Sequence, residues 1–328
     1  MSADRLIRFL KDREISLILA DIGASGEPWE GFESLMPVSD VLRFDPDLRA
    51  IQSVSTRDGR RCVTINKAVV EDPRTQVDFF LTRSPYCSST LEPDFERIRD
   101  YSYEDLFTVV GVSSLPSVTL EDATRLAGFP RIDWLKIDTQ GTELRILKSL
   151  PQALLNLLLV CDVEASLYAH YIGSDTLPEI HNLLRREEFW VAQMIPHWRT
   201  RGSRETQSQI EGIFSPGFKR RVLGHSSHQG PTTLEMTYAR TTRGAARAGF
   251  DVTTRIRLFA CHHALGAFEY CLEIANGLAQ EKVSADEGRQ MAEIATDSIR
   301  NRTRKAILPY CLDALRLRAD RLLRRFVR

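Results

Sequence analysis

The chain has 328 residues, which is enough to bury a full core and to hold more than one domain. Its 44 lysines and arginines balance 44 acidic residues, and a net charge of zero provides no general attraction to nucleic acid. The six cysteines include no C-x-x-C pair, no apolar run has membrane-spanning length, and the first residues lack a signal-peptide pattern. We therefore expect a cytoplasmic protein with reduced thiols and no transmembrane segment.

Up to about residue 240 the sequence alternates apolar strand patterns with helix patterns, which is typical of βαβ units and a mainly parallel sheet. Residues 196–233 are rich in Gly, Ser, His and Pro, and this composition predicts a long loop, either a substrate lid or a disordered insert. Thr119 is the expected N-cap of a helix. The predicted strands are residues 15–21, 41–45, 62–70, 77–81, 134–138, 157–164, 189–194 and 234–239, and the predicted helices are residues 4–11, 118–127, 142–149 and 176–187.

After residue 240 the strand patterns stop, and helices are predicted for residues 255–279, 285–300 and 305–327. We therefore divide the chain into domains 1–240 and 241–328. From Arg300 to the end there are ten Arg or Lys residues against two acids, beside an amphipathic apolar stripe. We favour a helix that packs on its neighbours with a solvated basic face over a membrane-surface or nucleic-acid-binding helix, and the apolar stripes could also pair subunits. The stripe consists of Leu308, Leu312, Leu315, Ala319, Leu322 and Phe326.

A glycine-containing turn, Asp21-x-Gly23-x-x-Gly26, follows the first predicted strand. A dinucleotide fingerprint requires Gly at the first position, where a carboxylate would repel a pyrophosphate. A carboxylate there attracts a cationic ligand instead, which favours S-adenosylmethionine. Asp45 ends the second strand at the offset of an acid that binds ribose hydroxyls. The alternative is a plain turn that Asp21 caps. The predicted cofactor-binding residues are Asp21, Gly23, Ala24, Gly26, Asp45 and Asp138.

The ordered motifs of the chain resemble those of the FkbM family of methyltransferases, over about residues 15–194. The most specific is Leu135-Lys136-Ile137-Asp138-Thr139-Gln140-Gly141-Thr142-Glu143-Leu144, where Gln140 replaces the more frequent Glu. The others are Asp21-Ile22-Gly23-Ala24, Phe44-Asp45-Pro46, Val118-Thr119-Leu120-Glu121-Asp122, the serine-rich residues 82–91 and Asp162-Val163-Glu164.

The resemblance implies an α/β, doubly wound, Rossmann-like methyltransferase sheet, followed here by a C-terminal helical extension. It also implies methyl transfer from S-adenosylmethionine to a hydroxyl oxygen of a small molecule or glycan. N-methylation and a non-catalytic scaffold are the alternatives. Asp138 could hold the cofactor ammonium, bind the acceptor or, with Glu164, ligate Mg²⁺, while helix capping or ion pairing is the structural alternative. The predicted catalytic residues are Asp138, Glu164 and the candidate base His170.

Overall fold

The computed structural model describes residues 2–23, 29–44, 53–57, 59–101, 103–213 and 228–326. Internal contacts divide the chain into two compact units. One unit is Ser16–Gly249, and the other combines Met1–Ile15 with Phe250–Arg328. The expected domains, 1–240 and 241–328, remain a prediction.

The unit Ser16–Gly249 contains an eight-stranded sheet and a three-stranded sheet. In chain order the strands are Leu17–Ile22 (β1), Ser39–Phe44 (β2), Ser53–Arg57 (β3), Arg60–Ile65 (β4), Ala68–Val70 (β5), Gln76–Thr82 (β6), Val109–Thr119 (β7), Trp134–Ile137 (β8), Val160–Ser166 (β9), Phe189–Thr200 (β10) and Gln229–Arg240 (β11). The large sheet has the order β10-β11-β9-β8-β1-β2-β4-β3, and the small one β5-β7-β6.

The structure describes eleven α-helices in the two units. In chain order they are Ser2–Lys11 (α1), Phe95–Ile98 (α2), Leu120–Leu126 (α3), Glu143–Ser149 (α4), Gln152–Leu157 (α5), Leu177–Arg186 (α6), Arg204–Gly212 (α7), Thr242–Arg247 (α8), Val252–Ala264 (α9), Phe268–Ala279 (α10) and Ala285–Phe326 (α11). Thr119 accepts a hydrogen bond from the Asp122 N–H at 3.1 Å, as its predicted N-cap role requires. The expectation of a mixed α/β fold with a large, mainly parallel sheet and C-terminal helices is confirmed.

The large sheet has a topological switch point at β1, because the chain places β2 on one side of this strand and β8 on the other. This strand is parallel to β2 on one side and to β8 on the other, and all its residues are buried. Asp21 is in register with Arg43 of β2 and with Lys136 of β8. A crevice forms at the carboxyl ends of the strands at such a switch point, because the connections leave in opposite directions. The side chains next to this crevice are therefore the candidates for ligand binding.

The core fills both sides of these central strands. Ile22, Phe44, Leu135 and Ile137 are among the apolar residues of one buried cluster. On β8, Trp134 is almost completely buried and makes edge contacts with the rings of Trp29 and Phe32, at centroid separations of 6.3 and 5.8 Å. The apolar runs of the sequence thus fix the strands whose ends carry the polar residues.

The strand prediction for residues 62–70 and the loop prediction for residues 196–233 are wrong in detail. The first segment forms two strands, β4 and β5, which belong to different sheets. In the second, β10 continues to Thr200, helix α7 follows, and β11 begins at Gln229, so the segment is not one loop. Residues 214–227 lie outside the described residues. Pro196 is compatible with β10 because this strand is at the edge of the sheet.

In the second unit the helices begin and end at other positions than predicted. Residues 255–279 form two helices, α9 and α10, separated at Gly266, which has a positive φ of 70°. Residues 285–300 and 305–327 instead belong to one helix, α11, with Pro309 inside it. In the described residues, no helix is long and apolar enough to cross a membrane.

Candidate active site

Two carboxylates, Asp21 and Asp138, flank the switch point with a lysine between them. Asp21 lies near the end of β1, and Asp138 directly follows β8, where its N–H donates to the Ile22 carbonyl at 3.1 Å. The Nζ of Lys136 lies 3.7 Å from Asp21 Oδ1 and 3.5 Å from Asp138 Oδ2. The two strands that end in an acid therefore meet at one site.

Asp21 is buried and only partly hydrogen bonded. Its Oδ2 accepts a bond from the Trp29 N–H at 3.2 Å. Its buried Oδ1 has no hydrogen-bond donor within the described residues, although the Lys136 ammonium is near. Burial raises the pKa of Asp21, and the charge of Lys136 opposes that rise. Within the described part of the chain, this oxygen is thus available to a further donor.

Gly23 allows the ends of β1 and β8 to approach each other. It has a positive φ of 84°, and a Cβ at this position would lie 2.1 Å from the carbonyl oxygen of Asp138. No other residue type fits that space. Of the remaining predicted cofactor residues, Ala24, Gly26 and Asp45 lie outside the described residues.

Gln140 holds the Asp138 carboxylate in place. Its Nε2 donates to Asp138 Oδ1 at 2.8 Å, and its own Oε1 lies 3.2 Å from the Tyr171 hydroxyl. That hydroxyl also donates to the Cys87 carbonyl at 2.8 Å. A carboxylate at position 140 would repel Asp138, whereas the amide presents a donor to Asp138 and an acceptor to Tyr171.

Glu143 organises the loop between β8 and α4. Its Oε1 accepts bonds from the Thr139 N–H and hydroxyl, both at 2.9 Å, and from the Gly141 N–H at 3.0 Å. Burial nevertheless raises the pKa of Glu143 to about 7. This side chain faces its own loop, and it acts on the loop geometry rather than on a ligand.

A row of acids continues from Asp138 across the neighbouring strands. Glu164 of β9 is in register with Glu235 of β11. Burial, together with the nearby carboxyl groups of Asp138 and Glu235, raises the pKa of Glu164 to about 8. Deeper on β9, buried Asp162 accepts bonds from the Trp134 indole and the Thr237 hydroxyl, and its pKa is raised to about 7. The cleft is therefore predominantly acidic.

His170 and Glu164 line the same small pocket. The pocket is also lined by Gln140, Ser166, Tyr171 and Thr233. His170 Nδ1 lies 3.0 Å from the Ser166 hydroxyl, and Nε2 lies 3.5 Å from the Tyr103 hydroxyl. Burial lowers the pKa of His170 to about 4, so the ring is neutral at pH 7. The structure thus brings Asp138, Glu164 and His170 to one end of the sheet.

Residues 36–190 match the family model of the methyltransferase FkbM domain. This segment of the chain is therefore similar to FkbM methyltransferase domains. The resemblance inferred from the motifs is confirmed, and the domain indicates a methyltransferase. Methyltransferases of this family generally use S-adenosylmethionine. Comparisons with curated proteins and with solved structures gave no significant match.

The matched segment of the FkbM domain contains most of the candidate site. It includes Asp138, Glu164 and His170, whereas Asp21 and Gly23 precede it. Among the described residues of the chain, no group of three or more His, Cys, Asp or Glu side chains could hold a metal ion. A Mg²⁺ site formed by Asp138 and Glu164 therefore has no support within the described residues.

Two polar residues of the site were not identified from the sequence. Lys136 lies in the recognised motif, but its pairing with two acids depends on strand register. Glu235 approaches Glu164 only because β11 inserts next to β9. Ser89, which belongs to the serine-rich segment 82–91 of the resemblance, is buried and donates to the Gln140 carbonyl at 2.9 Å, so it supports the loop.

Proposed function

We propose that the protein transfers a methyl group from S-adenosylmethionine to a hydroxyl oxygen of a small molecule or glycan, on a doubly wound, Rossmann-like sheet. The observation that carries this proposal is the placement of Asp21 and Asp138 on either side of the switch point, with Gly23 between them. A pyrophosphate would be repelled by these two carboxylates. A ligand with a sulfonium and an ammonium group is attracted.

The residues present fit this cofactor. Asp21 offers a buried oxygen without a hydrogen-bond donor in the described part of the chain. Lys136 offsets the charge of only one of its two neighbouring carboxylates, Asp21 and Asp138, so the strand ends keep a net negative charge. When bound, S-adenosylmethionine supplies an electrophilic methyl group. Ala24, Gly26 and Asp45 are proposed to complete its binding, Asp45 through the ribose hydroxyls.

Asp138 is the proposed contact of the acceptor hydroxyl. Gln140 and Lys136 fix its carboxylate, so its orientation is set before the acceptor arrives. Glu164, with a pKa of about 8, is protonated at pH 7 and shares its proton with Asp138. The Asp138–Glu164 pair can therefore receive the proton that the hydroxyl loses as it attacks.

His170 is proposed to act through Ser166. Both ring nitrogens face hydroxyl groups, those of Ser166 and Tyr103, and the neutral ring can orient the Ser166 hydroxyl toward the pocket. Asp138 can also accept a hydrogen bond from an amine-bearing acceptor, and the Asp138–Glu164 pair can receive the proton that an ammonium group must lose before it attacks. N-methylation is for this reason the second candidate function.

Calorimetry with S-adenosylmethionine tests the cofactor assignment. The wild type should bind, Asp45→Ala should bind weakly or not at all, and the exposed control Asp78→Ala should bind as the wild type does. No binding by the wild type at about millimolar ligand, the upper end of the usual range of KM, would contradict both methylation hypotheses and leave the scaffold alternative.

Mass spectrometry of extracts incubated with isotopically labelled cofactor identifies the acceptor. The label should appear on oxygen, and Asp138→Ala should abolish it while cofactor binding persists. Label on nitrogen would favour the second candidate function. Turnover that persists in a chelator would rule out metal assistance, and full turnover by Asp138→Ala would contradict the role of this residue.

A further inference from the structure

His197 and Glu235 form a hydrogen-bonded pair beside the candidate site. Nε2 of His197 lies 2.8 Å from Oε1 of Glu235, and the two side chains are 34% and 43% exposed. On β10, His197 is in register with Thr233, one of the residues that line the pocket. The pair therefore reaches from the edge of the pocket to the solvent.

Glu235 connects this pair to the carboxyl groups of the site. It is in register with Glu164, and opposed residues of antiparallel strands have Cβ atoms about 5 Å apart. The charge of Glu235 contributes to the raised pKa of Glu164, which also shares a hydrogen bond with Asp138. The acid–histidine row thus consists, in spatial order, of Asp138, Glu164, Glu235 and His197.

Other ionisable groups of the described residues also face the acid–histidine row. They are Lys136, Cys87, Tyr171 and Asp162. Burial raises the pKa of Cys87 and of Tyr171, so both keep their protons at neutral pH. Lys136 is paired with two carboxylates, and buried Asp162 accepts hydrogen bonds from other side chains. The far end of the row, by contrast, is open to solvent.

Asp138 needs such an outlet once an acceptor is bound. Its Oδ1 accepts a bond from Gln140 at 2.8 Å, and its Oδ2 lies 3.5 Å from the Lys136 ammonium. The side chain is only 24% exposed, and an acceptor hydroxyl that contacts it covers the part that faces solvent. A proton received by Asp138 therefore has its open route through Glu164.

We propose that Glu235 and His197 carry the proton released in methyl transfer from the Asp138–Glu164 pair to the solvent. The proposal rests on the proposed function, and it adds two residues that act through Glu164 without touching the acceptor. Histidine suits the last position, because imidazole gains and loses a proton close to neutral pH.

The proton moves in single steps that return every group to its starting state. As the hydroxyl oxygen bonds to the methyl carbon, the C–S bond breaks, its electron pair stays on sulfur, and the O–H proton passes to Asp138. Glu164 gives its own proton to Glu235 and then takes up the one from Asp138. Glu235 passes its proton to His197, and the imidazolium releases it to water.

Glu235→Gln separates a proton carrier from a structural partner. The amide keeps an oxygen that accepts a bond from His197, but it cannot take up a proton. In extracts incubated with labelled S-adenosylmethionine, we expect label transfer about tenfold slower than in the wild type. A group that exchanges the reacting proton itself contributes about a hundredfold or more. Calorimetry should show an unchanged affinity for the cofactor.

His197→Ala tests the last step of the path. We expect a similar loss of about tenfold in label transfer, and added imidazole should restore most of the rate because the small base replaces the missing ring. The matched control is His228→Ala, since His228 is exposed and has no carboxylate partner in the described part of the chain. This control should transfer label as the wild type does, with or without imidazole.

Carbon-13 NMR of the glutamate carboxyl groups tests the contact without any acceptor. Glu164→Gln identifies the signal of Glu164, whose pKa of about 8 should fall in Glu235→Gln because a neighbouring negative charge is lost. The exposed control Glu96→Gln should leave that pKa unchanged.

Full label transfer by Glu235→Gln would overturn the proposal. So would a pKa of Glu164 that this substitution leaves unchanged, or a loss in His197→Ala that imidazole does not restore. No label transfer by the wild type would instead contradict the methyl transfer itself, and the proposal with it.

Discussion

The carbonyl oxygen of Asp138 occupies the space where any residue other than glycine at position 23 would place its Cβ, 2.1 Å away. Gly23→Ala should therefore separate the ends of β1 and β8, lower the free energy of unfolding by about 3 kcal/mol or more, and remove cofactor binding. Urea denaturation and calorimetry provide the two measurements. Gly173→Ala is the control, because Gly173 has a similar φ of 70° but open space around it.

Removing the acceptor that Glu143 provides should destabilise the loop after β8. Glu143→Ala leaves the N–H groups of Thr139 and Gly141 without their acceptor, and we expect a loss of about 2 to 4 kcal/mol in urea denaturation. Glu143→Gln keeps one oxygen at the position of Oε1 and should lose less than half of that. Equal losses in the two variants would show that the carboxylate charge, rather than the acceptor, matters.

Stability should decrease as the pH rises through the neutral range. Burial raises the pKa of Glu143 and Asp162 to about 7 and of Glu164 to about 8, so the folded state holds protons that the unfolded chain releases at lower pH. The stabilisation is complete below the ordinary carboxyl pKa and is lost as the pH passes 7 to 8. The melting temperature should fall from pH 5 to about pH 9. Glu164→Gln should flatten the upper part of this fall, whereas the exposed control Glu96→Gln should not change it.

Arg240 should be irreplaceable because it joins three main-chain carbonyls. Its guanidinium donates to the carbonyls of Leu158, Glu187 and Leu155 at 2.8, 2.9 and 2.7 Å. Arg240→Met should lower the free energy of unfolding by about 3 kcal/mol or more. Arg240→Lys should cost nearly as much, since a single ammonium cannot span the three acceptors. Arg243→Met, at an exposed ion pair with Glu188, should cost less than about 1 kcal/mol.

Much of the central sheet could be predicted because its strands are continuous apolar runs. β1 and β8 are examples, and the acids at their ends indicate the site directly. The strand β7 was missed, since the small and polar residues of Val109–Thr119 give it little apolar periodicity. The lengths of β10 and β11 were missed because each strand continues past its apolar part, where pairing with the other strand replaces burial.

Which charged residues surround the site depends on how the strands pair in the sheet, and the local sequence pattern does not indicate that pairing. Nothing in the sequence aligns Glu235 with Glu164, because the two residues are far apart in the chain and meet only through the order β9-β11. The same holds for Lys136, whose contact with Asp21 requires the register of β1 and β8. The role of Asp138 was proposed from its residue type and its place at a strand end, whereas the sheet topology determines its electrostatic surroundings.

Two interior strands of the large sheet come from residues outside the matched segment 36–190. These are β1, which lies between β2 and β8, and β11, which lies between β9 and β10. On the ribosome, β9 and β10 emerge well before β11, and β10 has no other strand to pair with. We therefore expect the nascent chain to expose the open edge of β9 until residue 240 has left the exit tunnel. Completion of this sheet is thus a late event, and a fragment ending at residue 190 should aggregate rather than fold.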